Sequence, residues 1–557
     1  MRYFIYLFIA LHLLTLDTKA QFSGTRSSTT STYVDTYVPS SSAGTTGLAV
    51  RVYKASAARF GTCGAPIVLC LAGGDASEQI SSSDFSAIDF SSQGIIKIVF
   101  NYPGGGSGTR LSGGTYDNRG ANCIQATYDV LKFATGQIAD KSGKYITNST
   151  YGANALTSSV QMCGNSNGGN MALIVMGLYG STLSGVKGIS NWESPVGDGH
   201  YVADKGNILS GDNAAYTIGS GSTVGTFDWS KLKYSSSSSL VPVTDPFSTI
   251  TGGLYFDNDN DGAYTSGSSD YVVRGWLANQ GTSTSKVYYS EEVINNGYSL
   301  IPSSSTNFAS ATDVHNFWAS RNGAYYLSNI TSARPDLYFI LMATQTDHIQ
   351  TADDRPHLIT QYEGLRTGGL SFVRLNPDNT YITAINGSSV SGTSDNNANI
   401  AFDYTSIQGS SVLETESLNY NTLVKASVCE LADRIKNSNV SSNLTAVLSK
   451  SCSHKTSGII DETTKSINSL HVFPNPVKNG ENLHIQISEN ISGDVDADKI
   501  SIIMFDMYGR ITKEISTYSI SENGEITIAM NGIAKGVYIL NIQHYDQIEN
   551  SRIVITE

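Results

Sequence analysis

Residues 66–72 (Pro-Ile-Val-Leu-Cys-Leu-Ala) form an unbroken apolar run that ends in Gly73-Gly74-Asp75. Residues 95–100 (Ile-Ile-Lys-Ile-Val-Phe) form a second, nearly continuous run and lead into Asn101-Tyr102-Pro103-Gly104-Gly105-Gly106. Strands covered on both faces read this way, whereas half-buried strands alternate, as residues 48–54 do over much of their length. Further runs at 160–163, 186–192, 337–343 and 369–375 predict more strands. Helical patterns fall at about 118–135, from Asn170 onward, and at about 420–436. Buried strands alternating with helices predict an α/β fold with a mostly parallel sheet covered on both faces. Ligands of such sheets sit at the carboxyl ends of the strands, where the glycine-rich turns fall.

About 140 residues, roughly 196–334, interrupt this alternation; that is too long for a loop and predicts a cap insertion. Residues 376–450 are polar apart from the helix, and 451–466 read as a linker. From 467 to 557 short alternating strands separated by Gly, Asn and Pro turns predict a small all-β sandwich. Residues 1–20 have an early Arg2, an apolar run from Phe4 to Leu16, and small Thr18 and Ala20 before a cut, as a signal peptide does. That leaves 21–450 as the main domain, with no other segment apolar enough to span a bilayer. A net charge of −13 argues against a nucleic-acid surface, and only 15% charged residues amid many Ser, Thr, Gly, Asn and Tyr suit an exported protein. Six cysteines permit disulfides in that setting. Cys429 with Cys452 is the expected pair, while Cys70 and Cys163 are expected as buried thiols. The absence of C-x-x-C or a His/Cys cluster gives no sign of zinc.

Candidate chemistry centres on Gly164-Asn165-Ser166-Asn167-Gly168, between the strand at 160–163 and the helix from Asn170. G-x-S-x-G in that setting is a nucleophile elbow: only small residues fit beside the serine, whose hydroxyl stands above the sheet. The helix N-terminus points at it and favours developing negative charge. With this strand order, residues 45–385 resemble α/β-hydrolases. The resemblance implies Ser166 as nucleophile and an oxyanion hole from the backbone N–H of Asn167 and one from the Gly73-Gly74-Asp75 turn, at Gly74 or Asp75. It also implies an acid after the 337–343 strand, where Asp347 stands, and a histidine after the last strand. Residues 376–380 (Asn-Pro-Asp-Asn-Thr) contain none, and after His357 the next histidine is His454. The base is therefore sought among His348, His357, His315 and His200, with His348 nearest the top of the sheet. Adjacent side chains rarely pair, so His348 as base goes with Glu193, at the end of the strand after the elbow unit. Asp347 as acid goes instead with His315 or His357. Asp353 and Asp354 read as helix N-terminal acids.

Within the insertion, Asp257-Asn258-Asp259-Asn260-Asp261-Gly262 places carboxylates at alternate positions before a glycine, as loops that wrap a calcium ion do. The twelfth position, Ser268, replaces the usual Glu, and Asp270 follows two residues later. A structural calcium held by Asp257, Asp259, Asp261 and Asp270 is expected, with no cofactor for catalysis.

The C-terminal Val472-Phe473-Pro474-Asn475-Pro476, Phe505-Asp506-Met507-Tyr508-Gly509-Arg510 and Gly532-Ile533-Ala534-Lys535-Gly536-Val537-Tyr538 resemble the sorting domain of Bacteroidetes type IX secretion. That resemblance implies Sec export, handling by the type IX machinery, and release or surface attachment. The combined reading is a secreted serine hydrolase forming an acyl-enzyme on Ser166 and cleaving an ester or polymer-derived substrate, with carboxylic esters favoured. A peptidase of the same fold and a non-catalytic binding protein on a hydrolase scaffold are the alternatives.

Overall fold

The computed structural model describes residues 28–197, 213–219, 224–243, 249–278, 286–342, 356–387, 420–441, 444–452 and, with breaks, 470–556. The expected signal peptide and most of the expected linker lie outside these residues. Two compact units divide the chain, residues 1–452 and 453–557.

The first unit is built on a nine-stranded sheet. Its strands are β1 (Ser28–Thr29), β2 (Tyr33–Val38), β3 (Leu48–Tyr53), β4 (Ala65–Leu71), β5 (Ile96–Phe100), β6 (Ala155–Asn165) and β7 (Val186–Trp192). After the insertion, which contains β8 to β14, come β15 (Tyr338–Met342) and β16 (Phe372–Leu375). The spatial order is β1-β2-β3-β5-β4-β6-β7-β15-β16. The β1–β2, β2–β3 and β3–β5 pairs are antiparallel and every pair from β5 through β16 is parallel. The reversal of β3 between β2 and β5 and the crossover of β4 past β5 make this the sheet of an α/β-hydrolase.

Strand side chains alternate between two apolar layers, because successive residues of a strand face opposite ways. Ile67, Leu69, Leu71, Phe339 and Leu341 join one layer; Val68, Cys70, Ile340 and Met342 join the other. The helices, in chain order, are α1 (Ser83–Ser86), α2 (Ala121–Ala134), α3 (Asn167–Tyr179), α4 (Glu291–Gly297), α5 (Ala311–Trp318), α6 (Leu327–Ala333), α7 (Pro356–Thr367), α8 (Asn379–Asn386) and α9 (Tyr420–Asn437). Residues of α2, α3, α6 and α7 fill the first layer, and those of α1, α8 and α9 the second.

The cap holds β8 (Tyr216–Thr217), β9 (Thr226–Phe227), β10 (Leu232–Ser235), β11 (Gly253–Phe256), β12 (Tyr271–Val272), β13 (Trp276–Ala278), β14 (Lys286–Tyr288), α4 and α5. Its own core runs from Ala215 to Trp318 and is rich in aromatic rings. The expected cap limit of 334 is therefore too late. Leu327 and Ile330 of α6 pack into the main core, and the buried Arg334 ties that helix down by donating to the carbonyls of Gly180, Leu183 and Val186.

The disulfide also differs from expectation. Cys452 pairs with Cys63, their Cα atoms 5.6 Å apart. Cys429 instead lies on the buried face of α9, its Sγ 3.8 Å from Gln93 Oε1, and burial pushes its thiol above the ordinary range.

The second unit is a β-sandwich. A four-stranded sheet (Leu470–Phe473, Asn482–Ile487, Glu525–Ala529, Ser519–Ile520) faces a five-stranded one (Val477–Lys478, Gln547–Thr556, Gly536–His544, Ile500–Asp506, Ile511–Glu514). Both contribute to one core that includes Leu483, Ile485, Met504 and Leu540. No helix among the described residues is long and apolar enough to cross a membrane.

Candidate active site

Ser166 sits between the end of β6 and the first residue of α3, with φ 50° and ψ −122°. A non-glycine residue pays of order 1–3 kcal/mol to hold such a conformation, and does so only where its surroundings dictate it. They do so here: its N–H donates to the Trp192 carbonyl at 2.9 Å and its own carbonyl accepts from Gly169 at 2.9 Å. The neighbouring glycines are obligatory. A Cβ on Gly168 would lie 1.9 Å from the Leu71 carbonyl oxygen, and one on Gly164 would lie 2.5 Å from the Gly169 Cα. Gly168→Ala is accordingly expected to destabilise the fold by about 1–3 kcal/mol through overpacking and to displace Ser166. Urea denaturation together with active-site labelling would check both effects.

The turn after β4 passes against the serine, since a Cβ on Gly73 would come 3.0 Å from Ser166 Cβ. The Gly73 N–H is taken by Asp84 Oδ2 at 2.7 Å. The N–H groups of Gly74 and Asp75 have no partner among the described residues, and Gly74 adopts φ 61°. The Asn167 N–H belongs to the first helical turn, whose donors have no acceptor within the helix. Its side chain donates to the Gly74 carbonyl at 3.3 Å and so links the two sides of the expected oxyanion hole.

Arg119, which sequence reasoning missed, braces this turn. It is buried at φ 68°, and its guanidinium donates to the carbonyls of Ala72 and Gly73 at 3.0 Å each and to the Tyr102 hydroxyl at 2.8 Å. A trans peptide points its C=O and N–H in opposite directions. Holding the Gly73 carbonyl thus fixes the direction of the Gly74 N–H. A single arginine in a turn has no periodicity by which the sequence could reveal it.

A cleft of about 330 Å³ opens beside the elbow. It is lined by Asn167, Asn170 and Met171 of α3, by Asn118, Arg119 and Arg321, and by Trp276 and Trp318 of the cap. Asn170, also missed, is buried and holds the segments on either side of the cap: its Nδ2 donates to the Pro195 carbonyl at 3.0 Å and its Oδ1 accepts from the Gly323 N–H at 3.0 Å. The thiols of the central strands β4 and β6 are held protonated by burial. Burial pushes Cys163 up to about 12, and burial with the neighbouring Cys163 raises Cys70 well above its usual range.

The remaining predicted residues fall in three places. Glu193 is buried directly after β7 at φ 42°, its N–H donating at 2.8 Å to the carbonyl of Met342 at the end of β15, while the preceding residue, Trp192, is the one that accepts from the Ser166 N–H. His357 is fully buried in the first turn of α7, on the same helix face as Gln361, which reaches the Ser194 carbonyl at 3.2 Å and Asn191 at 3.3 Å. His315 lies on the cap, its ring 69% exposed, with Nδ1 2.5 Å from Glu291 Oε1. Asp347, His348, Asp353, Asp354 and His200 lie outside the described residues.

The segment after β16, where the hydrolase resemblance calls for a histidine, is committed elsewhere. Asn376 adopts φ 57° and donates to the Leu341 carbonyl at 2.6 Å, and Asp378 caps α8 through Thr380. In the cap, the carboxylates of Asp257, Asp259 and Asp270 converge, while Asp261 departs from the expected ligand set and accepts from the Ala263 N–H at 2.8 Å.

Strand order, a reversed strand and a serine elbow define the first unit as an α/β-hydrolase fold. Similar solved structures include brefeldin A esterase, described as a bacterial homologue of human hormone-sensitive lipase (10% identity, 76% of this chain and 80% of that one, TM-score 0.33). A thermostable carboxyl esterase from Bacillus coagulans (11%, 62% and 89%, 0.30) and oligopeptidase B from Leishmania major (9%, 72% and 37%, 0.32) also overlap. The strand order, not these overlaps, carries the fold assignment. No curated protein matches the chain in sequence. The second unit is named by its family: residues 471–556 match the secretion system C-terminal sorting domain. That domain marks the chain for type IX export, to the cell surface or beyond it.

Proposed function

We infer that the protein is a secreted serine hydrolase acting on carboxylic esters, with Ser166 as nucleophile. The observation that carries this reading is the elbow: a serine held in a costly backbone conformation, flanked by glycines that admit no side chain, beside N–H groups at Asn167 and Gly74. In this mechanism Ser166 Oγ attacks the ester carbonyl while a histidine takes its proton, and the N–H donors hold the tetrahedral oxyanion. The alkoxide leaves with that proton, and water then releases the acyl group by the same path. His348 is the favoured base, oriented by Glu193; the pairing of Asp347 with His357 or His315 is the competing arrangement. The cleft suits the task, because the indole rings of Trp276 and Trp318 in its lining offer apolar surface to an ester's acyl or alkyl group.

One observation favours a second reading, a binding protein that kept the scaffold: the segment after β16 carries no histidine and is engaged in buried polar contacts. A fluorophosphonate probe separates the two. The first reading expects stoichiometric labelling at Ser166 and turnover of short-chain para-nitrophenyl esters above peptide anilides. Replacing the true base should then cost about 10⁴-fold or more in kcat. His348→Ala is expected to show that loss, whereas His315→Ala should leave turnover within a few-fold. Folded protein that neither labels nor turns over esters would establish the binding reading, and preference for peptides would make it a peptidase.

A further inference from the structure

We propose that the cap carries a calcium site built from Asp257, Asp259 and Asp270, and that the ion braces the cap rather than taking part in chemistry. The three residues bring carboxylate oxygens within 4.8 Å of one another. Proximity alone would describe any acidic turn, but Asp257 is different. It is 4% exposed, its Oδ2 accepts from the Gly262 N–H at 3.1 Å, and its Oδ1 is buried with no hydrogen bond. A buried carboxylate oxygen without a hydrogen bond, on a residue clustered with two further carboxylates and with no Lys, Arg or His in ion-pair range among the described residues, is costly unless a cation compensates it. The Oδ1 of Asn258 in the same turn is likewise buried without a partner.

All the donor atoms are hard oxygens and no sulfur or imidazole is present, which selects calcium over zinc or copper. The loop is flexible in sequence, with Gly262 at φ 79°, and calcium tolerates the irregular, oxygen-rich shell such a loop offers, whereas magnesium demands a strict octahedron. Asp261 is left out of the ligand set because its carboxylate does not converge with the other three.

The position gives the site its consequence. Asp257 directly follows β11 and Asp270 directly precedes β12, and these strands pair Phe256 with Tyr271. One ion would therefore clamp the two ends of the 257–270 loop where the hairpin enters the cap core. Phe256, Tyr271 and Val273 are part of that core, and Trp276, a few residues on, lines the cleft. Cap order, and with it the cleft wall, is thereby tied to calcium.

The test needs no assumption about catalysis. Purified full-length protein is stripped with EDTA, and terbium luminescence sensitised by Tyr255 and Tyr264, whose rings lie 5.5 Å apart, is titrated and then competed with calcium. One terbium per chain, displaced by calcium but not by equimolar magnesium, is expected, together with a rise in melting temperature of about 5 °C or more in calcium over EDTA. Asp259→Asn, at an exposed position that does not threaten folding, should weaken calcium binding about tenfold or more through loss of a charged ligand, whereas Asp261→Asn should leave it within about twofold. No terbium signal and no melting shift would overturn the site. Equal responses to calcium and magnesium would reduce it to screening of an acidic turn. Equal losses in Asp259→Asn and Asp261→Asn would overturn the ligand set.

Discussion

Ser166→Ala is expected to remove ester turnover by a factor on the order of 10⁶ while leaving the fold intact. The size follows from the division of labour at the site. Without Oγ there is no covalent path, and what remains is the modest catalysis that oxyanion donors and binding supply alone. The backbone makes a sharper version possible. Alanine has the same difficulty as serine at φ 50°, ψ −122°, so Ser166→Ala should change stability little. Glycine has no such difficulty, and Ser166→Gly should stabilise the protein by about 1 kcal/mol while being equally inactive. Kinetics with para-nitrophenyl acetate and urea denaturation of the three proteins measure both halves. Turnover surviving in Ser166→Ala would remove Ser166 from the role of nucleophile. A destabilised Ser166→Gly would show that the elbow is not strained.

This contrast shows why the elbow was legible in the sequence and its supports were not. Steric exclusion leaves a mark: Gly164 and Gly168 are glycine because backbone atoms occupy the space a side chain would need. Double-sided burial also leaves a mark, so the strands at 66–72, 95–100, 186–192 and 337–343 could be placed to within a residue or so. The short alternating strands and turn motifs of the C-terminal unit were legible for the same kind of reason. Contacts between distant segments leave none. Cys63 and Cys452 are 389 residues apart, and the preference for the nearer Cys429 had no physical basis beyond proximity along the chain. The end of the cap was misplaced because α6 has an ordinary amphipathic pattern that does not say which core it joins. Arg119 is recognisable only once the carbonyls of Ala72 and Gly73 are seen to converge on it. At the metal loop, alternation of acids identified the site but could not tell that Asp261 turns back onto its own backbone.

The missing histidine after β16 has a structural counterpart, and it leads to the second large expected effect. Asp378 sits where the hydrolase resemblance calls for the base, and its N–H donates to Glu430 Oε2 at 2.6 Å. Glu430 Oε1 accepts from Arg434 Nε at 2.6 Å, Arg374 approaches that oxygen at 3.9 Å, and Arg374 Nη2 reaches Asp378 Oδ2 at 3.1 Å. One turn away, Arg59 forks onto Asp433 at 2.6 and 2.8 Å, and the Tyr381 hydroxyl donates to the same carboxylate. Every one of these residues is buried. Such a network contributes little net stability over an apolar core, but removing one member leaves charges buried and unpaired. Glu430→Ala strips the acceptor from the Arg434 Nε–H and the Asp378 N–H and removes the counter-charge near Arg374, and should cost about 3–5 kcal/mol in urea denaturation. Glu430→Gln keeps the shape and one acceptor and should cost less. A loss under about 1 kcal/mol for Glu430→Ala would mean that water reaches the network and compensates it. Turnover per folded molecule distinguishes its purpose. If Glu430→Ala is unstable yet retains its kcat below the melting transition, the segment after β16 is scaffold and the base comes from elsewhere, as His348 would. If kcat falls while the protein remains folded, that segment shapes the site even without a histidine.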